Sequence, residues 1–517
     1  MRRYLYFTVF ASGMTTLAAE LSASRLIGNV FGSSNLVWAS IIGLILIYLT
    51  LGYLLGGRWA DRTPNATAMY RILAWGAFTL GVVPNVAQPV LRAAASAFDG
   101  LQVGILLGSF LAVLILFSIP VTLLGMISPF AIRICMDDTR RAGNISGNIY
   151  AISTLGSFFG TFLPVLVTIP VMGTTRTFLV FSLFLLFVAL AGLGASAGNR
   201  QLFLYLWMPI VLVILAVLGS WRPLKNSPGQ IYETESAYNY IQVLEHDGYR
   251  YLRLNEGQGI HSMYHPTDLY YYGPWEQFLA ATFFNHPPYA LEQVKRMAIV
   301  GLAAGTAARQ ATAVFGPIPI DGFEIDPKIV QVGREYFGMT MPNLNVYIED
   351  GRWGLEHSPF KYDLIIVDAY RAPYIPWQMT TQEFFRIAFD HLTEDGVLAI
   401  NVGRTPSDRR LIDGLATTIA TLFPSLYVMD VPGTLNSVVY ATRRPSRAEN
   451  LAVNLLNLSQ QEDVHPLLLT AMQVALANLR PGYHVTTVFT DDLAPIEWIT
   501  NEMVIDFVLH GDLGTLQ

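Results

Sequence analysis

The chain has 517 residues, 52% of them hydrophobic and 14% charged, with a mean hydropathy of +0.41. That is too apolar for a soluble enzyme and too charged for a transporter built only of spanning helices. A net charge of −6 and a pI near 5.9 exclude a nucleic-acid binder, which would need a clustered cationic face. The one cysteine, Cys135, excludes a disulfide framework and a thiolate metal cluster. No lysine precedes Lys225 and most acids lie beyond it, so the composition averages two regimes.

The first regime, residues 1–222, reads as a transmembrane helical domain. Runs long enough to cross a bilayer core, about 20 helical residues each, begin near Tyr4, Leu36, Tyr70, Leu101, Ser146, Thr177 and Leu202, which gives about seven spans. Pro120 and Pro129 make the long run from Leu101 to Cys135 a kinked helix rather than two short ones. Glu20 and Arg25 interrupt the first run, and no cleavage-site pattern follows, so it stays as a helix. Glu20 reads equally as a polar site inside the bundle and as a carboxylate held by a neighbouring hydroxyl, whereas Arg25 reads as a snorkelling side chain. Gly56 to Arg62, GGRWADR, reads as a short basic loop with a local Asp61 to arginine pairing. The basic loop residues Arg2, Arg3, Arg58, Arg62, Arg133, Arg140, Arg141 and Arg200 fall on one side of seven alternating helices. That pattern puts the N-terminus in the cytoplasm and everything after Trp221 outside, whereas supply of a nucleoside cofactor argues for the cytoplasm.

A small β-domain is expected over residues 228–285. IYETESAYNYIQVLE, a turn at His246-Asp247-Gly248 and YRYLRLNEG alternate as a hairpin should. Residues 290–517 then alternate short apolar strands with helices: MAIVG, a helix from Gly305, PIDGFEI, a helix from Pro327, NVYIE, DLIIVD, a helix from Thr380, VLAINV, and a helix beyond Pro406. SLYVMDV and NSVVYATR add two strands, and the last 70 or so residues read as helices. The pattern predicts a mostly parallel, doubly wound α/β sheet.

Four segments fall at strand carboxyl ends, where open α/β sheets bind nucleosides. In VGLAAGT, Gly301, Ala303 and Gly305 make a tight strand-to-helix turn that leaves backbone open to a ligand. Glu324 in FEIDP is placed to accept from two ribose hydroxyls, Asp350 in EDGR from an adenine amine, and Asp368 in LIIVDAY can reach a cation at the reacting centre. Taken singly, each acid is as well explained by a helix cap. Ala303 at the middle glycine and the lack of a third glycine weaken a dinucleotide reading, and no G-x-x-x-x-G-K-[ST] is present for ATP.

The order of these strands and acids resembles class I S-adenosylmethionine-dependent enzymes, a methyltransferase-like fold. The blocks SAYNYIQV, LNEGQGIHS, FEIDP, EDGR and T-x-E-F-F are similar to those of the spermidine synthase family of aminopropyltransferases. With AELSASRLIG and GGRWADR ahead of them, the chain resembles membrane-fused spermidine synthase-like proteins. The resemblance implies a decarboxylated S-adenosylmethionine site at Gly301, Gly305, Glu324, Asp350, Gly351 and Asp368, with S-adenosylmethionine itself as the other candidate. It also implies an amine acceptor beside that site, in segments containing Gln258, Trp275 and Glu276.

The departures bear on the acceptor. The family's D-S-[ST]-D-P becomes Asp368-Ala369-Tyr370-Arg371-Ala372-Pro373, so Arg371 stands at or near the catalytic carboxylate. A guanidinium is no general base and repels a polyamine. The Y-[HQ]-E segment becomes Trp275-Glu276-Gln277, and the glutamine of the usual Y-Q pair becomes Asn239. His261, Ser262, Tyr264, Glu256 and Tyr370 are expected to face the pocket, His261 as a base near neutral pH or simply as a hydrogen-bonded strand residue. Thr490 to Glu497, TDDLAPIE, is expected to cap a helix or to bind an amine, and no metal is expected. Two classes follow. One is a membrane-anchored aminopropyl or methyl transferase with Asp368, Tyr370 and His261 as catalytic candidates, acting on an acceptor other than an ordinary polyamine. The other is a transporter or sensor whose soluble domain binds a nucleoside or amine without turnover. The expected partners are the lipid bilayer and a small acceptor molecule, self-association being left open.

Overall fold

The structure is a computed structural model that describes residues 2–31, 35–96, 103–136, 141–219, 227–255, 259–370 and 375–510. The chain forms two compact units: residues 1–226 with 234–240, and residues 227–233 with 241–517.

The first unit is helical. Its elements are Arg2–Phe31, Asn35–Arg62, Ala66–Ser96, Val103–Gly125, Ile127–Cys135, Ala142–Leu163, Ile169–Ala197, Asn199–Phe203 and Trp207–Gly219, with a π-helical turn at Pro164–Thr168. Among the described residues five stretches are long and apolar enough to cross a membrane: Val37–Arg62, Ala66–Ala87, Gly108–Cys135, Ala142–Ala197 and Asn199–Val217. The fourth, 56 residues long, contains a non-helical residue at Gly173 (φ 82°, ψ 169°). The expected start at Leu101 lies outside the described residues. The run that follows is one 28-residue stretch interrupted at Met126. Gly56 to Arg62 are not a loop: they are the last turns of the helix Asn35–Arg62, and Asp61 pairs with Arg133 at 3.3 Å rather than with a local arginine.

Small residues let the helices approach closely. A side chain on Gly160 would put its Cβ 2.1 Å from the Met14 carbonyl oxygen, so the first and sixth helices pack backbone to backbone. The outward faces carry Leu46, Leu54, Ile119, Leu155, Phe158, Leu166 and Val171, all more than half exposed. Such a face suits contact with acyl chains rather than water.

The second unit contains most of the β-structure. Strands β1 (Gln230–Glu235), β2 (Tyr240–His246), β3 (Tyr249–Leu254) and β4 (Ile260–Tyr264) form a sheet in that order. His246 pairs with Tyr249 across Asp247 and Gly248, both at positive φ, as a two-residue hairpin turn requires. The sheet does not stand apart as its own domain. Ile241, Val243, Leu252 and Leu254 share a core with Ala304, Ile329, Val332 and Phe337.

The larger sheet comprises β5 (Met297–Val300), β6 (Ile320–Phe323), β7 (Leu344–Tyr347), β8 (Tyr362–Val367), β9 (Leu392–Gly403), β10 (Ser425–Asp430), β11 (Asn436–Thr442) and β12 (Leu479–Arg480), in the order β12-β10-β11-β9-β8-β5-β6-β7. The strands β5 to β9 run parallel, and β11 is antiparallel to both β9 and β10. The central strands read as unbroken apolar runs because helices cover both faces. Met297, Ile299, Leu364, Ile366, Val397 and Ala399 enter one core, while Ala298, Val300, Ile365, Val367, Leu398 and Ile400 enter the other. The parallel order 3-2-1-4-5 followed by an antiparallel 7-6 pair is the class I methyltransferase arrangement expected from the sequence.

Candidate active site at the carboxyl edge of the sheet

Strand β5 lies between β6 and β8, so the chain leaves the sheet in opposite directions on its two sides and opens a crevice at the carboxyl edge. Val300 pairs with Val367, which sets Gly301 beside Asp368. Gly301 has φ +87°, and a Cβ there would lie 2.6 Å from the Asp368 carbonyl oxygen, so only glycine permits this turn. Ala303 (φ 48°) and Gly305 (φ 87°) continue the irregular backbone into the helix Thr306–Phe315.

The loop is held from both sides. Ala303 N–H donates to Glu324 Oε2 at 2.9 Å, and Ala304 N–H donates to Ser262 Oγ at 2.9 Å. Thr306 Oγ1 donates to the Met263 carbonyl and accepts the Met263 N–H, each at 2.9 Å, which fastens β4 to the start of the helix. A backbone ordered in this way is shaped before any ligand arrives, which reduces the entropy lost on binding.

Three acids project from successive strand ends, in different states. Glu324 is buried; one oxygen accepts from Ala303 and the other from Asp326 N–H at 3.0 Å. Burial pushes its carboxyl up to about 7 in spite of those bonds. Asp350 caps the helix Gly351–Glu356, its Oδ1 accepting from the Arg352 and Trp353 N–H groups at 3.0 Å each. The helix-cap reading of Asp350 is therefore realised, and Oδ2 is the oxygen left for a ligand. Gly351 packs so closely that a Cβ would meet Val300 Cγ1 at 2.6 Å. Asp368 accepts from Asn401 Nδ2 at 2.9 Å, and the Trp275 indole N–H bears on the same carboxylate. Burial outweighs both donors and pushes Asp368 up to about 7.

The remaining candidates divide. Tyr370 is strongly raised by burial and by the charge of Asp368, so it stays protonated and can donate but not act as a base. Its hydroxyl lies against the Gly403 backbone. His261 is lowered to about 4 by burial, which leaves it neutral at physiological pH. That value is below the near-neutral range expected of it as a base. Trp275 is buried, with its indole turned to Asp368 rather than to open solvent.

Glu276 is held by the surrounding backbone. It is fully buried and accepts from the N–H groups of Tyr271 (2.6 Å) and Gly273 (3.0 Å) and from Gln310 Nε2 (2.9 Å). Both oxygens take part in shaping the turn into the helix Pro274–Phe278 and one also holds Gln310, which gives Glu276 a structural role. Asp491, in the TDDLAPIE run, neither caps a helix nor stands free: it makes a two-pronged pair with Arg352 at 2.7 and 2.8 Å and accepts from Thr381 Oγ1. Gln258, Glu256 and Arg371 lie outside the described residues.

Two contributors were not anticipated. Asn401 is a polar residue closing the apolar run VLAINV, a signal visible in the sequence; its Nδ2 holds Asp368 while its Oδ1 is buried without a partner. Ile325 and Ile348, beside Glu324 and Asp350, are 40% and 53% exposed at the mouth of the crevice. Apolar side chains exposed at that point suit the face of a planar base.

A family model described as the spermine/spermidine synthase domain matches residues 280–448. These residues form a spermine/spermidine synthase domain. The chain is 31% identical over 300 residues to a probable polyamine aminopropyl transferase of Bifidobacterium longum, covering 55% of this chain and 65% of that protein. It thus spans just under two thirds of that relative's length. To the polyamine aminopropyltransferase of Vibrio vulnificus it is 28% identical over 283 residues, 51% of this chain and 91% of that one. Among solved structures, a probable spermidine synthase from Corynebacterium glutamicum aligns at 16% identity and a TM-score of 0.38, covering 52% of this chain and 99% of that one. The spermidine synthase from Thermotoga maritima aligns at 18% identity and a TM-score of 0.38, covering 49% and 84%. The spermine/spermidine synthase domain accounts for the sheet edge that holds Glu324, Asp350 and Asp368, and it ends soon after β11.

The donor set fits an adenosyl sulfonium. Glu324 and Asp350 Oδ2 are acceptors suited to ribose hydroxyls and an adenine amine, and Ile325 and Ile348 supply apolar surface. Asp368 together with the unpartnered Asn401 Oδ1 suits a positively charged amine.

Proposed function

We propose that the chain is a membrane-anchored transferase of the aminopropyl type, with decarboxylated S-adenosylmethionine as donor, S-adenosylmethionine as the alternative donor, and an acceptor other than an ordinary polyamine. The observation that carries this reading is Asp368, set at the switch point opposite Gly301, held by Asn401 and Trp275, and poised near neutrality.

When bound, such a donor supplies a carbon already activated by sulfonium: the C–S bond breaks toward sulfur as an acceptor nitrogen's lone pair forms the new C–N bond, leaving a neutral thioether. The chain's own residues then have three tasks. Gly301 to Gly305 and Glu324 hold the nucleoside, a positioning role that accounts for much of the rate in reactions of this kind. Asp368 offers a carboxylate to the positive charge and accepts the proton that the acceptor nitrogen sheds, for which a pKa near ambient pH is best suited. Tyr370, protonated and buried, donates a hydrogen bond without taking a proton. Arg371, at the family's usual carboxylate position, disfavours a polycation as acceptor. Donor supply favours the cytoplasmic side for these residues, and loop charges favour the other.

The test is calorimetry of the full chain in detergent or nanodiscs with decarboxylated and ordinary S-adenosylmethionine, alongside Glu324→Ala. Binding of either donor that Glu324→Ala weakens supports the reading, and mass spectrometry of acceptor mixtures then identifies the product. Binding of neither donor sinks it. A donor that binds without transfer to any acceptor favours the sensor reading.

A further inference from the structure

Beyond Asp368 the carboxyl edge carries a second charged feature that the donor site does not use. Asp430 closes β10, and Arg404, Arg409 and Arg480 converge on it: Arg409 Nη1 at 2.8 Å, Arg480 Nε at 2.7 Å and Arg404 Nε at 3.4 Å. Ser437 Oγ donates to the same carboxylate at 2.6 Å. Among the described residues three positive charges meet one negative, which leaves two in excess, and the other acid of that loop, Asp408, is committed to Arg410. One arginine suffices to neutralise a buried aspartate. Three crowded together repel one another, and burial, with Arg409 and Arg480 adding to it, pulls the Arg404 guanidinium down.

Not all of these donors are well matched. Arg409 Nη2 is shielded from solvent and makes no hydrogen bond, and Arg404 Nε, likewise shielded, faces Asp430 at 3.4 Å without making one, a state that costs stability unless a ligand fills it. The cluster is also continuous with the site. Arg404 directly follows Gly403, against which the Tyr370 hydroxyl lies, and Asp430 is in register with Ser437, itself paired with Val402. Asp368 and Asp430 are separated by β9 and β11, three inter-strand steps or about 14 Å.

We propose that the acceptor is an amine whose far end carries an oxyanion, a carboxylate or phosphate, seated on Arg404, Arg409 and Arg480 while its nitrogen is presented to Asp368. This rests on the transferase reading above and specifies its acceptor. The nitrogen's lone pair forms the new bond to carbon, the carbon–sulfur pair leaves with sulfur, and the nitrogen's proton passes to Asp368. The oxyanion is not consumed. It selects the acceptor and replaces the cationic tail of a polyamine, which two uncompensated positive charges would repel.

The test uses the full chain in nanodiscs, with donor binding measured separately so that a donor that fails to bind, the failure of the transferase reading, is recognised on its own. The probes are ω-amino carboxylates and diamines of matched length, with inorganic phosphate as competitor. The expected result is tighter binding of the amino carboxylate than of the diamine and competition by phosphate. Arg480→Gln, at a half-exposed position, should weaken amino carboxylate binding about tenfold, the value of one charge-assisted contact, with donor affinity unchanged. Asp430→Asn should tighten phosphate binding, an outcome a purely structural cluster would not give. Nanodiscs of phosphatidylethanolamine against phosphatidylcholine separate the sources: an aminopropylated headgroup assigns the oxyanion to lipid, and transfer to the soluble probe assigns it to a solute. A diamine that binds as well as the amino carboxylate, or an Arg480→Gln protein that binds it unchanged, overturns the proposal.

Discussion

Donor binding should release protons, and Asp368 makes the effect measurable. Burial raises this carboxyl to about 7, with Asn401 and Trp275 pulling the other way. A sulfonium or ammonium nearby favours the ionised form, so the bound state titrates lower than the empty one. Affinity is then greatest above pH 7 and falls by about tenfold per pH unit below it, for each proton released. Glu324 also titrates near 7 and accepts hydroxyls best when ionised, so the wild-type slope approaches two protons. Asp368→Asn should bring it to one and weaken binding at pH 8. A charge pair at about 4 Å with an effective dielectric near 20 is worth ~4 kcal/mol before desolvation; allowing half of that for desolvation leaves ~2 kcal/mol, about thirtyfold in Kd. Asn401→Ala keeps the charge but removes a donor to it. Loss of a hydrogen bond to a charged group, about 1.5–3 kcal/mol, should move the inflection up by about one to two pH units. The assay is calorimetry from pH 5.5 to 9 in buffers of different ionisation enthalpy, which counts released protons directly. Equal affinity at pH 6 and 8, or an Asp368→Asn protein with the wild-type slope, would refute the reasoning.

The same groups carry a stability cost of opposite sign. Both folded-state values lie above the ordinary carboxylate range, so the stability they contribute is present at low pH and is lost as pH rises from about 4 through 7. The melting temperature of the donor-free protein should fall across that window, and Glu324→Gln should flatten the fall while weakening donor binding; a variant that melts lower at pH 8 contradicts this. Gly301→Ala places a Cβ 2.6 Å from the Asp368 carbonyl at a φ of +87°, and should cost ~1–3 kcal/mol of stability and abolish donor binding, read by thermal melts and calorimetry. Glu276→Ala should destabilise by ~1–3 kcal/mol through the N–H groups left unpaired, with the acceptor Kd of the folded fraction unchanged; a change confined to acceptor affinity would restore Glu276 as a substrate contact.

The legible parts of the sequence were those where one local rule decides the structure. Strands β5, β8 and β10 follow from short apolar runs closed by Gly or Asp, and the hairpin follows from Asp247-Gly248. Gly301 and Gly305 announce the loop because no other residue tolerates those positions. What the sequence did not reveal depends on which of two partners a polar group finds. Glu276 and Glu324 are both acids in apolar surroundings, yet Glu276 spends both oxygens on a turn five residues long, while Glu324 ties two loops at the crevice. Asp350 is both a helix cap and a strand-end acid, and the readings are not exclusive, since a carboxylate has two oxygens. Arg404, Arg409, Asp430 and Arg480 are scattered over 77 positions and converge only because β11 inserts between β9 and β10. That insertion sets the arginines on the far side of Asp368 from Glu324, so one sheet edge offers carboxylates where a cationic donor fits and guanidiniums where its acceptor would extend.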